Sequence, residues 1–128
     1  MIKNPKDVLQ EWMQAVNEGD IAGLLALYDE KAVLIPTFSN RLLSTPEKIR
    51  EYFNKLCIRE DLSIALHEKT LVTQAVNDEI SALCGIYCWR FVIDEEMLSF
   101  EARFSYLLNL SLPGPIIHHH SSQIPRML

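Results

Sequence analysis

Apolar residues recur at helical spacing over the first part of the chain and at strand spacing over most of the rest. Val8, Leu9, Trp12, Met13 and Val16 fall three or four apart, the repeat of one helix face. Asn4 precedes them as an N-cap, Pro5 takes the first helical position, Asp7 sits in the first turn and Gly19 supplies the stop. The spacing predicts a helix over about 5–18. Asp20 caps a shorter second helix carrying Ile21, Leu24, Leu25, Leu27 and Tyr28, closed by Asp29-Glu30-Lys31. Ala32-Val33-Leu34-Ile35 then reads as a short strand that Pro36 ends. A polar loop around Phe38 follows. Thr45-Pro46 opens another helix, through Ile49, Tyr52, Phe53 and Leu56.

From Leu62 the period becomes two. Leu62, Ile64 and Leu66 alternate with Ser63, Ala65 and His67, in a strand that extends to about Val76 with a break at Glu68-Lys69. Asn77-Asp78 makes a turn. Ile80 to Ile93 is the longest β-like run, Asp94-Glu95-Glu96 turns the chain, and Met97 to Leu110 runs back. Leu112-Pro113-Gly114-Pro115 turns again into a last strand beginning Ile116-Ile117-His118-His119-His120. Short turns between successive strands predict a largely antiparallel sheet, and helices gathered before a meander give an α+β class. The expectation is a curved sheet wrapped around the N-terminal helices with a pocket between them, Gly85 permitting a bend or a close approach.

The 128 residues suggest one domain, and a 48% hydrophobic composition fills its core. The net charge of -5, with no basic cluster, argues against nucleic acid or an anionic membrane as partner. Met1 to Asp7 lacks the apolar segment of a signal peptide, and no apolar run is long enough to cross a bilayer. Three cysteines, Cys57, Cys84 and Cys88, are an odd and sparse set, which fits a reduced cytoplasmic chain; Cys84 and Cys88 read as core thiols.

The histidine run is the densest chemistry. In a regular strand His118 and His120 share one face and His119 takes the other, and a bulge would swap them. A pair at i and i+2 chelates a metal only with a third ligand, and neither HExxH nor CxxC occurs. A histidine facing a pocket can instead serve as base, with an ordinary pKa of about 6.5, or the run can simply hydrogen-bond across the sheet. Arg103 stands in an apolar strand and needs an anion, either Glu101 at two residues' distance or a ligand oxyanion. Glu101 is the best-placed acid by pattern, and Tyr87 can donate to a ligand oxygen. No GxSxG, Rossmann or phosphate-loop pattern is present, so no cofactor is implied.

The Trp12 helix, Glu18-Gly19-Asp20, Leu27-Tyr28, the segment Ala32 to Asn40, Ile49 to Phe53, Gly85-Ile86-Tyr87, Arg103-Phe104 and the ending His118 to Pro125 together resemble the nuclear transport factor 2-like superfamily. That superfamily also holds ketosteroid isomerase and the SnoaL-type cyclases. Within it the chain is most similar to the association domain of calcium/calmodulin-dependent kinase II and to the SgcJ/EcaC-type proteins. The HHHSSxxP ending is the most specific match. The resemblance implies a cone-shaped α+β domain over 1–128, dimeric through its open sheet face. Arg103 with His118 or His120 would look into the cavity beside Tyr52, Tyr87 or Trp89, and His119 would face the other surface. Where the family often has Trp ahead of the histidines, this chain has Pro115. The isomerases' catalytic Asp/Tyr set is not matched.

Two functions follow as expectations. One is a homodimer binding a small anionic or carbonyl-bearing molecule, with cofactor-free isomerase, dehydratase or cyclase chemistry if it is an enzyme. Histidine or Glu101 would then act as base, with Arg103 or Tyr87 stabilising an oxyanion. The other is a non-catalytic oligomerisation or accessory module related to kinase association domains.

Overall fold

The computed structural model describes residues 4–125, so the reading of Met1 to Lys3 lies outside the described residues. The order is α1 (Pro5–Glu18), α2 (Ile21–Ala26), β1 (Tyr28–Ile35), α3 (Pro46–Leu56), β2 (Ser63–Leu66), a 3₁₀ turn (Glu68–Thr70), β3 (Val72–Ala75), β4 (Ile80–Ile93), β5 (Glu96–Asn109) and β6 (Ile116–Gln123). The caps act as their chemistry predicts. The Asn4, Asp20 and Thr45 side chains accept from the backbone N–H groups of Asp7, Gly23 and Lys48, and Gly19 ends α1 in the left-handed conformation. The second helix is shorter than expected. Tyr28 opens β1 by pairing with Ile116, and Asp29-Glu30-Lys31 belong to the same strand, in an irregularity of the ladder between the paired Tyr28 and Val33.

The sheet is the principal correction. Its strands run β1-β6-β5-β4-β2, with β3 also paired to β4. It is a mixed, open sheet, neither closed nor strongly curved around the helices as expected. β6, β5 and β4 pair antiparallel through short turns, but β1 and β6 pair parallel. The short-turn argument applies only to consecutive strands. β1 meets β6 across the intervening helix and meander, a distance that leaves parallel pairing open. β4 and β5 pair without a break from Ile80↔Asn109 to Ile93↔Glu96. Gly85 lies inside that ladder, opposite Phe104. It provides close approach, since a Cβ there would stand 3.1 Å from both the Phe104 ring and the Thr70 hydroxyl.

The helices cover one face of the sheet. Val8, Leu9, Trp12 and Val16 of α1 and Ile49, Phe53 and Leu56 of α3 are buried against Tyr87, Trp89, Phe104 and Tyr106 of the sheet. Trp12 is the hub, with ring contacts to Phe53, Tyr87, Trp89 and Tyr106 at 5.6–6.5 Å. The opposite sheet face has no covering element among the described residues. Cys84 lies exposed on it and Cys88 is half-buried, so neither is the core thiol expected. No helix of the described residues is long and apolar enough to cross a membrane.

Two backbone positions test this description. Asp94 and Glu95 turn β4 into β5 with φ of 51° and 68°, a two-residue hairpin in the left-handed region. A glutamate there costs about 1–2 kcal/mol, partly offset in glycine by its larger unfolded-state entropy. Glu95→Gly is therefore expected to raise the unfolding free energy by up to about 1 kcal/mol in urea titration. At Gly114 a Cβ would stand 2.6 Å from the Tyr28 carbonyl oxygen. The blocking atom is backbone, so Gly114→Ala is expected to lower stability by about 1–3 kcal/mol.

Candidate functional site

The turn ahead of β6 brings the histidine strand between β1 and β5. Leu107 pairs with His118, but Leu108 pairs with Ile116, so Ile117 is an extra residue on β6. This bulge shifts the alternation by one. Ile116, His119 and Ser121 point into the core, while His118 is half-buried and His120 exposed. The placement implied by the resemblance, with His118 or His120 toward the interior and His119 on the other surface, is thereby reversed.

His119 is 1% exposed and hydrogen-bonded at both ring nitrogens. The Tyr28 hydroxyl lies 2.8 Å from Nδ1 and the Tyr87 hydroxyl 3.2 Å from Nε2. Trp12 Nε1–H donates to the Tyr28 oxygen at 3.0 Å. Each ring nitrogen thus has a hydroxyl partner, and a neutral imidazole, donating at one nitrogen and accepting at the other, satisfies both. Tyr106 stacks on the ring at 3.9 Å and Trp12 meets it edge-on at 5.2 Å.

Burial holds His119 well below the ordinary histidine pKa, with the neighbouring His118 and His120 adding to the effect. Burial likewise raises the phenols of Tyr28, Tyr87 and Tyr106. Trp12, Tyr28, Tyr87 and His119 thus form a neutral hydrogen-bonded cluster closed to solvent. Two buried atoms beside it, Tyr106 Oη and Trp89 Nε1, make no hydrogen bond among the described residues.

The other predicted residues are divided between the two sides of the sheet. Arg103 and Glu101 are exposed on the open face, with His118 and His120. Arg103 faces Ser122 across the ladder and Ser105 faces His120, which places Arg103 and His120 one diagonal step apart. Arg103 is thus not a buried guanidinium, and a Glu101 carboxylate oxygen lies 3.3 Å from His67 Nε2. Tyr87 and Trp89 are sealed in the core. Tyr52 lines a separate cavity of about 770 Å³ between α3 and the β4–β5 hairpin, and its hydroxyl accepts from the Phe38 N–H at 3.3 Å. No group of three or more His, Cys, Asp and Glu close enough for a metal occurs among the described residues. The sequence reading missed the roles of His119, Tyr28 and Trp12. The signal available was Tyr28 among apolar residues; the decisive one, the bulge, carries no sequence mark of its own.

A family model described as the calcium/calmodulin dependent protein kinase II association domain matches residues 4–125. The chain is similar to a solved protein from Xanthomonas campestris provisionally described as such a domain, with TM-score 0.84 and 22% identity over 95% of this chain and 86% of that one. It is similar to a ketosteroid isomerase-like protein from Erwinia carotovora atroseptica, with TM-score 0.74 and 12% identity over 94% of each chain. A Streptomyces avermitilis protein, provisionally described as a dehydratase of the NTF2-like family, gives TM-score 0.78 and 10% identity over 94% of each chain. At these identities the likeness shows the fold alone. No curated protein matches the chain.

The histidine cluster sets a pH dependence. Below about pH 6.5 the unfolded chain takes up a proton at this imidazole and the folded chain does not. Its contribution is therefore intact above that pH and lost as the pH falls, by at most about 1.4 kcal/mol per pH unit. Unfolding free energies measured between about pH 7 and pH 5 are expected to show this slope, and His119→Phe to reduce it while lowering stability at neutral pH by about 1–3 kcal/mol.

Proposed function

This chain belongs to the calcium/calmodulin dependent protein kinase II association domain family, within the nuclear transport factor 2-like superfamily, and on that premise we propose that it is a non-catalytic oligomerisation or accessory module that pairs with itself. The observation carrying the reading is the condition of its histidines. The one in the core, His119, is neutral, sealed and saturated by Tyr28 and Tyr87, as befits a structural group. Arg103, Glu101, His118 and His120 stand on the far side of the sheet from it. A cofactor-free isomerase, dehydratase or cyclase would need one of these histidines or Glu101 to meet Arg103 or Tyr87 across a void. Tyr87 lies in the buried core, whereas Arg103 and Glu101 are exposed on the other face. Likeness to isomerase-like and dehydratase-like proteins speaks to the scaffold and not to that chemistry.

The open sheet face suits an isologous pairing, in which one patch meets its own copy about a two-fold axis. On it His118 lies between the half-buried Val33 and Leu107, and His120 between Ile35 and Ser105, so apolar and polar side chains are interleaved across the three strands. An uncovered sheet face of mixed apolar and polar side chains is as apolar as many non-obligate protein–protein interfaces. We take the whole chain as one such domain.

Light scattering at micromolar concentration is expected to give at least twice the 14.7 kDa chain mass. Ser105→Lys with Leu107→Lys brings like charges together across the two-fold and is expected to yield a folded monomer. A monodisperse wild-type monomer would overturn the reading.

A further inference from the structure

β1, β2 and β3 each pair with another strand on one side only. Two of these edges are occupied. On the outer side of β1, Leu34 exchanges both backbone hydrogen bonds with Leu43 at 2.8 Å. On β2, Ile64 turns its backbone groups away from β4, and the Asn17 side chain takes both. The Asn17 oxygen accepts from the Ile64 N–H at 2.8 Å, and its amide donates to the Ile64 carbonyl at 3.1 Å. A side chain of α1 thus stands where a further strand would pair. The edge of β3 has no such cover.

The direction of its backbone groups follows from the register. Val76 N–H donates to the Ile80 carbonyl at 2.9 Å, and Gln74 and Val72 stand opposite Ala82 and Cys84. Backbone groups alternate sides along a strand. Val72 and Gln74 therefore turn theirs to β4, and Thr73 and Ala75 turn theirs outward. Among the described residues nothing bonds to those outward groups. All four residues of the strand are exposed, and Val72 and Val76 are 56% and 59% exposed. Val72-Thr73-Gln74-Ala75-Val76 contains no charge and no proline, and its ladder to β4 has no bulge. Charge, proline and bulges are the devices that keep an edge from pairing, and all are missing here.

The strand is also complementary to itself. Facing residues of an antiparallel pair present their backbone groups alike, so a two-fold axis beside the edge matches residues of the same parity. An axis at Gln74 sets Thr73 opposite Ala75 of the second copy, and Ala75 opposite its Thr73. Four hydrogen bonds then use every outward group of the two strands. On the face that Val72 shares with Cys84, Val72 meets Val76 of the second copy and the two Gln74 amides meet at the axis. No like charges are opposed along the strand. Past its ends, the turn holding Lys69 approaches the Asp78-Glu79 turn of the other copy. Glu68 is engaged by Lys6 at 3.2 Å, whereas Lys69 makes no ion pair among the described residues, so the ends are complementary in charge.

We propose that the edge of β3 is a self-association surface, on which two copies of this chain join their sheets antiparallel about a two-fold axis at Gln74. Four residues give a small contact, so the association is weak and concentration-dependent. β4 and β5 separate β3 from β6, so this contact is distinct from pairing through the open face and does not rest on it. A chain using both surfaces links its dimers into larger assemblies.

Amide hydrogen exchange read by nuclear magnetic resonance tests this. As the full wild-type chain is concentrated from about 0.02 to about 1 mM, exchange at Thr73 and Ala75 is expected to slow roughly two- to fivefold, the change for a Kd of about 0.1–1 mM. Gln74, already bonded to β4, is expected to keep its rate. Thr73→Pro removes an outward N–H and no bond to β4, so it is expected to fold and to abolish the slowing at Ala75. Val72→Lys with Val76→Lys opposes like charges across the axis from exposed positions and is expected to abolish it at both amides, which keeps the test in force if the proline variant misfolds. Ser105→Lys with Leu107→Lys, which is aimed at the open face, is expected to leave the slowing in place whatever its own mass, so the two surfaces fail separately. Exchange at one rate across the concentration range in folded wild type leaves the edge to an unlike partner or to none, and overturns the proposal. So does slowing that survives in either folded β3 variant, or that disappears in folded Ser105→Lys with Leu107→Lys.

Discussion

An imidazole removed from water must find a partner for each nitrogen, and the body of this protein is arranged around satisfying one such ring. Tyr28 reaches His119 from β1, Tyr87 from β4, and Trp12 of α1 holds the Tyr28 oxygen in place. The ring itself is on β6. The network therefore ties the main helix to three strands far apart in sequence. Leaving one such buried group unpaired costs about 1–3 kcal/mol, and Tyr106 and Trp12 add aromatic contacts on two sides of the ring. Few other polar contacts link so many elements at once.

That network also separates the molecule into two chemical environments. Inside lies a neutral aromatic cluster with raised phenol pKa values and a depressed histidine, which fixes architecture. Outside, on the open sheet face, lie the arginine, the acid and the other histidines of the run. The family contains this scaffold in the role of an association domain, and a core histidine engaged on both sides agrees with a structural use. The cavity beside Tyr52 is a third region, lined by α3, the loop at 36–43 and the hairpin end of β4 and β5.

Much of the architecture was legible in the chain. The boundaries of α1 and α3 followed from caps and apolar repeats, and β4 followed from an uninterrupted β-forming run. The resemblance carried by HHHSSxxP led to the family that the comparison identifies. The site was less legible. Regular alternation put His118 and His120 on one face, the resemblance turned that face inward, and with one extra residue at Ile117 it is His119 that points into the core. Arg103 looked like a charge in need of a buried partner because its strand neighbours are apolar. Those neighbours, Ala102 and Phe104, point to the opposite face from the arginine.

The sequence by itself determined local structure: which segments are helical, where they start and stop, which runs are strands, and that the final histidines mark a family. These depend on neighbours within a few residues, whose caps, repeats and turn chemistry are visible in the chain. Tertiary structure alone decided that β1 lies parallel to β6, that the sheet is open, that His119 is the buried member of its run, and that Arg41, Lys48, Lys55 and Arg59 gather around Tyr52. Each of these depends on register between strands, or on packing between segments, remote in sequence. A shift of one residue in a ladder exchanges the two faces of a strand without changing a single local preference.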